Sequence, residues 1–343
     1  MTSMNILALV LAGGEGTRLR PLTAEHAKPA LPFVNGCRIV DFVLSNLANS
    51  EISSIYVLAQ YKPQSLMRHI QATWNKSSRG GECSVNVVLP STSAERFLGT
   101  ADAVYRNLDL IERHRPDLVA VFAADHVYRM DVRQMVDFHL SLGADVSVAA
   151  VPVPIEKASS FGIIVPDYEN RILDFQEKPD QPVSLPADPN RAYASMGNYL
   201  FNTRFLVDAL GRANRRGETD FGRHILRHAS RSHRAFAYDF TGNHVPGVQS
   251  YEERAYWRDV GTLEAYTEAR RDALGPQPRF RLENSQWPIH GVRPPNERQR
   301  EQTRRIGSRD GLLALDSVDA GPRPFYVSRE AYESVSPGTQ ASA

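Results

Sequence analysis

The stretch Leu7–Pro21, LALVLAGGEGTRLRP, runs an apolar segment straight into Gly13, Gly14 and Gly16, then into Arg18 and Arg20. Glycines at the end of a strand let the backbone approach a ligand closely. The free N–H groups of such a turn, and of a helix that follows it, attract an anion. Two guanidinium groups add full positive charge, so phosphate is the group this spacing suits. The turn lacks the Gly-Lys-Ser/Thr of a P-loop, and Leu19 stands where a G-x-G-x-x-G motif needs its third glycine. A tight turn between two elements is the plain structural alternative. Further along, Asp125 closes the apolar run DLVAVFAAD. A carboxylate at the carboxyl end of a strand in a parallel sheet lies in the ligand crevice. The same aspartate could also cap the element that follows.

These groups need a scaffold, and the chain supplies an alternating one. Strand-like runs at 5–12, 52–60, 83–90, 117–125 and 144–154 alternate with helical patterns at 39–50, 62–74, 99–115 and 132–143. That order predicts an α/β fold, a Rossmann-like and mostly parallel sheet with helices on both faces. After Val151 the pattern changes. Residues 161–179 read as a hairpin turning at DYEN, 193–202 as another strand, 221–230 as a short helix and 261–274 as a longer one. This second half is expected to decorate the first and close a cleft. The chain divides into a catalytic domain over 5–275 and a linker and tail over 276–343.

Composition bounds the class. The chain has 343 residues, 42% hydrophobic and 23% charged, with a formal net charge of +1. So small a net charge gives no global field that would draw nucleic acid or an anionic membrane surface. Cys37 and Cys83 lie far apart without metal-ligand spacing and read as free thiols of a cytoplasmic protein. The apolar start is short for a signal sequence and has no basic residues before it, so it reads as a buried strand. The histidines, His126, His224 and His228 among them, show no metal spacing and read as surface or packing residues.

Several blocks taken in order point to a family. LAGGEGTRLRPLTAEHAKPALPF, RIVDFVLSN, GTADAVYRNL, ADHVYRMD, FGIIVPD, EKP, ASMGNYLF and YWRDVGTLEAY together resemble the bacterial glucose-1-phosphate adenylyltransferases, over about residues 5 to 290. The resemblance implies the nucleotide-diphospho-sugar transferase fold. It implies a magnesium-dependent transferase joining ATP and glucose 1-phosphate into ADP-glucose and pyrophosphate, for glycogen or α-glucan synthesis. In such a reaction a sugar-phosphate oxygen attacks the α-phosphorus in line, and catalysis is positioning and charge neutralisation.

The family's site residues carry over as follows. Arg18 and Lys28 would hold the triphosphate, with Pro29 fixing the backbone that aims Lys28. Gly13, Gly14, Thr17, Gly99 and Thr100 would face the nucleotide. The N–H groups of Gly99, Thr100 and Asp102 would do so or cap the helix they open. Asp125 and Asp259 would bind Mg²⁺, whose preference is for hard oxygen ligands. Phe97, Gly162, Glu177, Lys178 and Ser195 would receive glucose 1-phosphate, the ammonium pairing with its phosphate.

The chain also departs from the family. PSTS, residues 90–93, stands where the family carries PAQQ, so the resemblance does not extend to the loop that reads the base. Ala124 replaces a glycine, and Glu25 and His26 replace basic residues near the family's effector site. After Gly291 the hexapeptide repeats of the family's left-handed β-helix are missing. Two rivals follow: a sugar nucleotidyltransferase using another nucleotide, and a non-catalytic regulatory subunit. The arginine-dense stretch at 296–311 reads as a solvated surface helix, and the last residues as frayed. Residues 312–315 are expected to dock on the catalytic domain, in a homo-oligomer smaller than a tetramer.

Overall fold

The computed structural model of the chain describes residues 4–74, 83–91 and 95–291. Within these, the strands are β1 (Ile6–Ala12), β2 (Ser54–Ala59), β3 (Ser84–Val88), β4 (Leu118–Ala123), β5 (His126–Tyr128), β6 (Val146–Pro154), β7 (Gly162–Pro166), β8 (Ile172–Glu177), β9 (Arg191–Asn202), β10 (Ala235–Asp239) and β11 (Trp257–Asp259). The α-helices are α1 (Ile39–Asn49), α2 (Pro63–Thr73), α3 (Thr100–Tyr105), α4 (Leu108–His114), α5 (Val132–Ser141), α6 (Thr203–Arg215), α7 (Arg227–Ser232) and α8 (Leu263–Asp272).

The main sheet has the order β10-β6-β9-β4-β1-β2-β3, with the β7–β8 hairpin attached to β9. β1 explains why both faces must be covered. Its side chains alternate, so Leu7 and Leu9 join one apolar layer while Ala8 and Val10 join the other. The first layer is closed by Ala101, Ile111, Leu206 and Ile225, the second by Val43, Leu66 and Met135. A strand buried on both faces reads as a continuous apolar run, which is what ILALVLA is.

Three differences from the expected elements have physical causes. β9 runs antiparallel to both β4 and β6, so the sheet is mixed. A period of two is the same in either strand direction, and the sequence pattern does not encode it. The expected helix over 99–115 is two helices. At the break, Asn107 donates from Nδ2 to the Ala103 carbonyl at 2.8 Å, and an asparagine competing for helix carbonyls disfavours continuation. The expected helix at 221–230 begins as a π-helical turn, Phe221–Leu226, before α7.

A third apolar cluster lies outside the sheet. Ile39 and Phe42 of α1 meet Leu263, Tyr266 and Ala269 of α8, together with Phe280, Leu282 and Ile289. Thus residues 276–291 pack against the catalytic domain. Fully burying such side chains contributes about 1.5–3 kcal/mol each. No helix among the described residues is long and apolar enough to cross a membrane. Residues 92–93 of PSTS, the arginine-dense stretch and residues 312–315 lie outside the described residues.

One buried ion pair pins this last segment. Arg129, just past β5, donates from Nη1 to Glu252 Oε2 at 3.2 Å, and the two side chains are only 4% and 1% exposed. Glu252 also accepts from the backbone N–H groups of Gln249 and Arg281, and Arg129 lies over the Phe280 ring. Glu252→Ala leaves a buried guanidinium uncompensated. It is expected to cost about 3–5 kcal/mol of stability, read from urea unfolding followed by tryptophan fluorescence.

Candidate active site

The glycine turn follows β1 at the carboxyl edge of the sheet. Gly16 sits at φ +62°, and a Cβ there would lie 3.0 Å from the Thr23 methyl and 3.2 Å from Lys28 Cβ. Glycine meets both the left-handed conformation and the crowding. Thr23 Oγ1 donates to the Gly16 carbonyl at 2.8 Å and closes the turn. Above Gly14 there is open space. The turn is one wall of a cavity of about 480 Å³, also lined by Thr17, Arg18, Lys28, Phe97, Gly99, Thr100 and Asp125.

The opposite wall is the start of α3. Ala101 and Asp102 donate their N–H groups to the Thr219 carbonyl at 2.8 and 3.1 Å. The Thr100 hydroxyl donates to Asp220 Oδ2 and accepts from the Phe221 N–H. The Asp102 carboxylate accepts from the Leu98 N–H and pairs with Arg106. So this helix start is capped by the protein itself. At Gly99 the two segments press together: a Cβ there would lie 2.4 Å from the Thr219 carbonyl oxygen.

The floor holds the charges. β5 pairs antiparallel with β11 in a register that sets Asp259 opposite His126, so Asp125 and Asp259 become neighbours although 134 positions separate them (259 minus 125). Lys28 enters from a short turn, Lys28–Ala30. Its Nζ donates to Asp125 Oδ2 at 3.0 Å and to Asp259 Oδ1 at 3.1 Å. The Lys28 side chain is 8% exposed, against 38% for Asp125 and 23% for Asp259. Burial alone would lower the Lys28 pKa, but the two carboxylates outweigh it and raise it. Burial likewise works to raise the Asp125 pKa; the Lys28 charge and then His126 overcome it and hold the carboxyl well below the usual range. His126 packs on the Trp257 ring and turns Nε2 to within 3.6 Å of Asp125 and 3.9 Å of Asp259. One donor atom from each of Asp125, His126 and Asp259 lies within 4.8 Å of the others. Two carboxylates already sharing one cation are a donor set that fits a small divalent ion.

The remaining expected residues gather at the hairpin. Gly162 faces Glu177 in the β7–β8 register, and a Cβ on Gly162 would lie 2.7 Å from the Phe175 ring. Burial raises the Glu177 pKa and Asp220 adds to it, against Lys178 and Arg223. Lys178 has φ +48° and a side chain 56% exposed, 3.9 Å from Glu177. Ser195 Oγ accepts from the Gly197 N–H at 3.2 Å. Gly162, Glu177, Lys178, Ser195 and Asp259 are not in the wall of the 480 Å³ cavity; Gly197 and Tyr199 carry that wall toward them.

Several residues escaped the sequence reading. Gln60 accepts from the Phe97 N–H at 2.8 Å and donates to the carbonyls of Phe97 and Gly13, so it ties the two walls together. It ends a predicted strand just as Asp125 does, and the same rule would have found it. Gly261 is the other. A Cβ there would lie 3.0 Å from Arg18 Nη2 and 3.1 Å from the Asp259 oxygens. His126, read as a packing residue, both packs and faces the carboxylates.

Comparison with known proteins gives consistent results. The family profile described as Nucleotidyl transferase matches residues 7–275. A protein of Thermodesulfovibrio yellowstonii named glucose-1-phosphate adenylyltransferase is 53% identical over 291 residues, covering 84% of this chain and 71% of the relative. A Corynebacterium glutamicum protein of the same name is 48% identical, covering 83% and 70%. One from Thermus thermophilus is 43% identical, covering 94% and 79%.

The charge cluster yields a pH test. A carboxyl with a depressed folded-state pKa contributes stability that is complete above its ordinary value of 3.8 and fades as pH falls below it. Wild-type Asp125 should therefore titrate below 3.8 in side-chain ¹³C NMR. In Lys28→Met the burial remains and the ammonium is gone, so the Asp125 midpoint should move upward. An unmoved midpoint would show that Lys28 does not set this charge.

Proposed function

The chain belongs to the nucleotidyl transferase family, among the glucose-1-phosphate adenylyltransferases, and from that premise we propose that it transfers the adenylyl group of ATP to glucose 1-phosphate, releasing pyrophosphate and forming ADP-glucose. The observation that carries this reading is the Lys28–Asp125–Asp259 cluster, whose Lys28 and Asp125 line a glycine-walled cavity. It unites the two charge types that phosphoryl displacement needs: cations for phosphate oxygens and carboxylates for a metal ion.

The roles follow from position. Gly13, Gly14 and Thr17 give the triphosphate a wall the backbone can touch, and Gln60 holds that wall to Phe97. Arg18 at the cavity edge is the fixed positive charge, since a guanidinium does not deprotonate in this pH range. Lys28 is the second. Asp125 and Asp259 would hold Mg²⁺, which neutralises phosphate charge when bound. Glu177 would accept hydrogen bonds from sugar hydroxyls, and Lys178 would meet the sugar phosphate. Ser195 accepts from the Gly197 N–H, and Gly197 and Tyr199 line the cavity on the side facing that end. The reaction takes no proton from carbon and forms no covalent enzyme intermediate, so an arrangement without an activated nucleophile suits it.

Pyrophosphate release tests the reading directly. The purified chain with Mg²⁺ and glucose 1-phosphate is expected to release pyrophosphate with ATP. Faster release with UTP, dTTP or GTP would move the assignment to another sugar nucleotidyltransferase, and none with any nucleotide would support a regulatory subunit.

Two variants then separate the roles. Asp125→Asn is expected to lower turnover more than a hundredfold, about 3 kcal/mol of transition-state stabilisation, with the fold kept by circular dichroism. Near-wild-type turnover at saturating Mg²⁺ would rule out its metal role. Lys178→Ala meets a phosphate already charged in the ground state, so KM for glucose 1-phosphate should rise more than kcat falls. A collapse of ATP binding instead would place this lysine on the other substrate.

A further inference from the structure

Lys28 is held by the two groups that the proposed function assigns to a metal ion. Its ammonium lies 3.0 Å from Asp125 and 3.1 Å from Asp259, and no second cation is needed to account for that position. We propose that Lys28 is a placeholder for the divalent cation: in the free enzyme its ammonium occupies the space between Asp125 and Asp259, and cation binding there displaces it toward the phosphate-binding wall. The inference rests on the metal reading of Asp125 and Asp259 given above.

Charge makes the two occupants exclusive. Two carboxylates and one ammonium sum to −1. Adding a divalent ion without displacement would set it against an ammonium that already holds Asp125 Oδ2 and Asp259 Oδ1, one positive charge beside another at the same oxygens. Among the described residues the ammonium's hydrogen-bond partners are these two carboxylates. Its side chain is 8% exposed, so water cannot solvate it fully, and a buried ammonium without a partner is costly. A phosphate group in the cavity supplies another partner.

The local build allows a swing of the side chain alone. The Lys28 backbone is fixed in a turn, with Ala30 N–H donating to the Ala27 carbonyl at 2.9 Å and Leu31 N–H to the Lys28 carbonyl at 3.1 Å. Pro29 stiffens the same turn. Lys28 lines the same cavity as Gly13, Gly14 and Thr17, and the space above Gly14 is open. Arg18 provides the contrast. Among the described residues it forms no ion pair with either aspartate, so its charge faces the cavity before any cation arrives. The site therefore has one positive charge that is always presented and one that is released.

The test uses Mn²⁺ alone, titrated into the full chain without nucleotide and followed by electron paramagnetic resonance. Lys28→Met is expected to bind Mn²⁺ at least tenfold more tightly than wild type, and Asp125→Asn added to it should abolish the gain. If Lys28→Met binds no more tightly while Asp125→Asn still weakens binding, the displacement is wrong and the metal reading stands. If Asp125→Asn leaves Mn²⁺ binding untouched in both backgrounds, the metal reading and the displacement fall together. Wild type gives an arm free of any folding defect in the variant. Its Lys28 ¹⁵Nζ signal, protected from solvent exchange by the two carboxylates, should lose that protection at Mg²⁺ concentrations that compete Mn²⁺ out of the site. Protection that survives saturating Mg²⁺ overturns the proposal.

Discussion

The site depends on one arrangement: a nearly dry ammonium held between two carboxylates from distant parts of the chain. The lysine charge holds the Asp125 carboxyl low against its burial, and the carboxylates raise the lysine's own pKa against the burial that would lower it. The cluster in turn needs the β5–β11 pairing, a ribbon of three residues in each strand. So short a ribbon is not stable on its own. It is held by its surroundings: Trp257 packs with the layer beneath the sheet, Val127 and Val260 enter the α1–α8 cluster, and Arg129 reaches the buried Glu252. Packing far from the chemistry therefore fixes the distance between the two carboxylates.

The cavity wall follows a different rule, that of close backbone approach. Gly99 presses against the Thr219 carbonyl, and that carbonyl takes the first N–H groups of α3. The start of this helix is thereby already satisfied within the protein. The free surface facing the cavity is left to the glycine turn after β1 and to Arg18. Gln60 makes the two walls one unit, because a single amide reaches both Phe97 and Gly13.

How much of this was legible depended on whether the signal was local. The first four main-sheet strands and their helices were legible, because a strand buried on both faces writes a continuous apolar run and a covering helix writes a period of 3.6. The glycine turn was legible for the same reason, as a short unit of sequence. Asp125 was legible because the end of a strand marks the crevice. The direction of β9 was not, since alternation is blind to it. Nor was the Lys28–Asp125–Asp259 contact, which joins three segments through a three-residue ribbon with no pattern of its own; the residues came from family resemblance and their mutual contact from the structure alone. Gly261 shows the limit most plainly, since its lack of a side chain matters only because Arg18 and Asp259 converge there.

On the proposed roles, the two lysines would meet their ligands under opposite conditions. Lys178 is more than half exposed, on backbone in the left-handed region, with only Glu177 nearby at 3.9 Å. Its charge is screened and solvated, so gaining a phosphate means giving up water, and the net gain is modest. Lys28 is dry and already fully neutralised. For it, a phosphate would replace carboxylates rather than water, and the exchange would be favourable only when something else takes the carboxylates. In that reading Lys178 would contribute to binding whenever its substrate is present. Lys28 would contribute only when the charge balance around the two aspartates has changed, which would tie its contribution to the assembled complex rather than to either substrate alone.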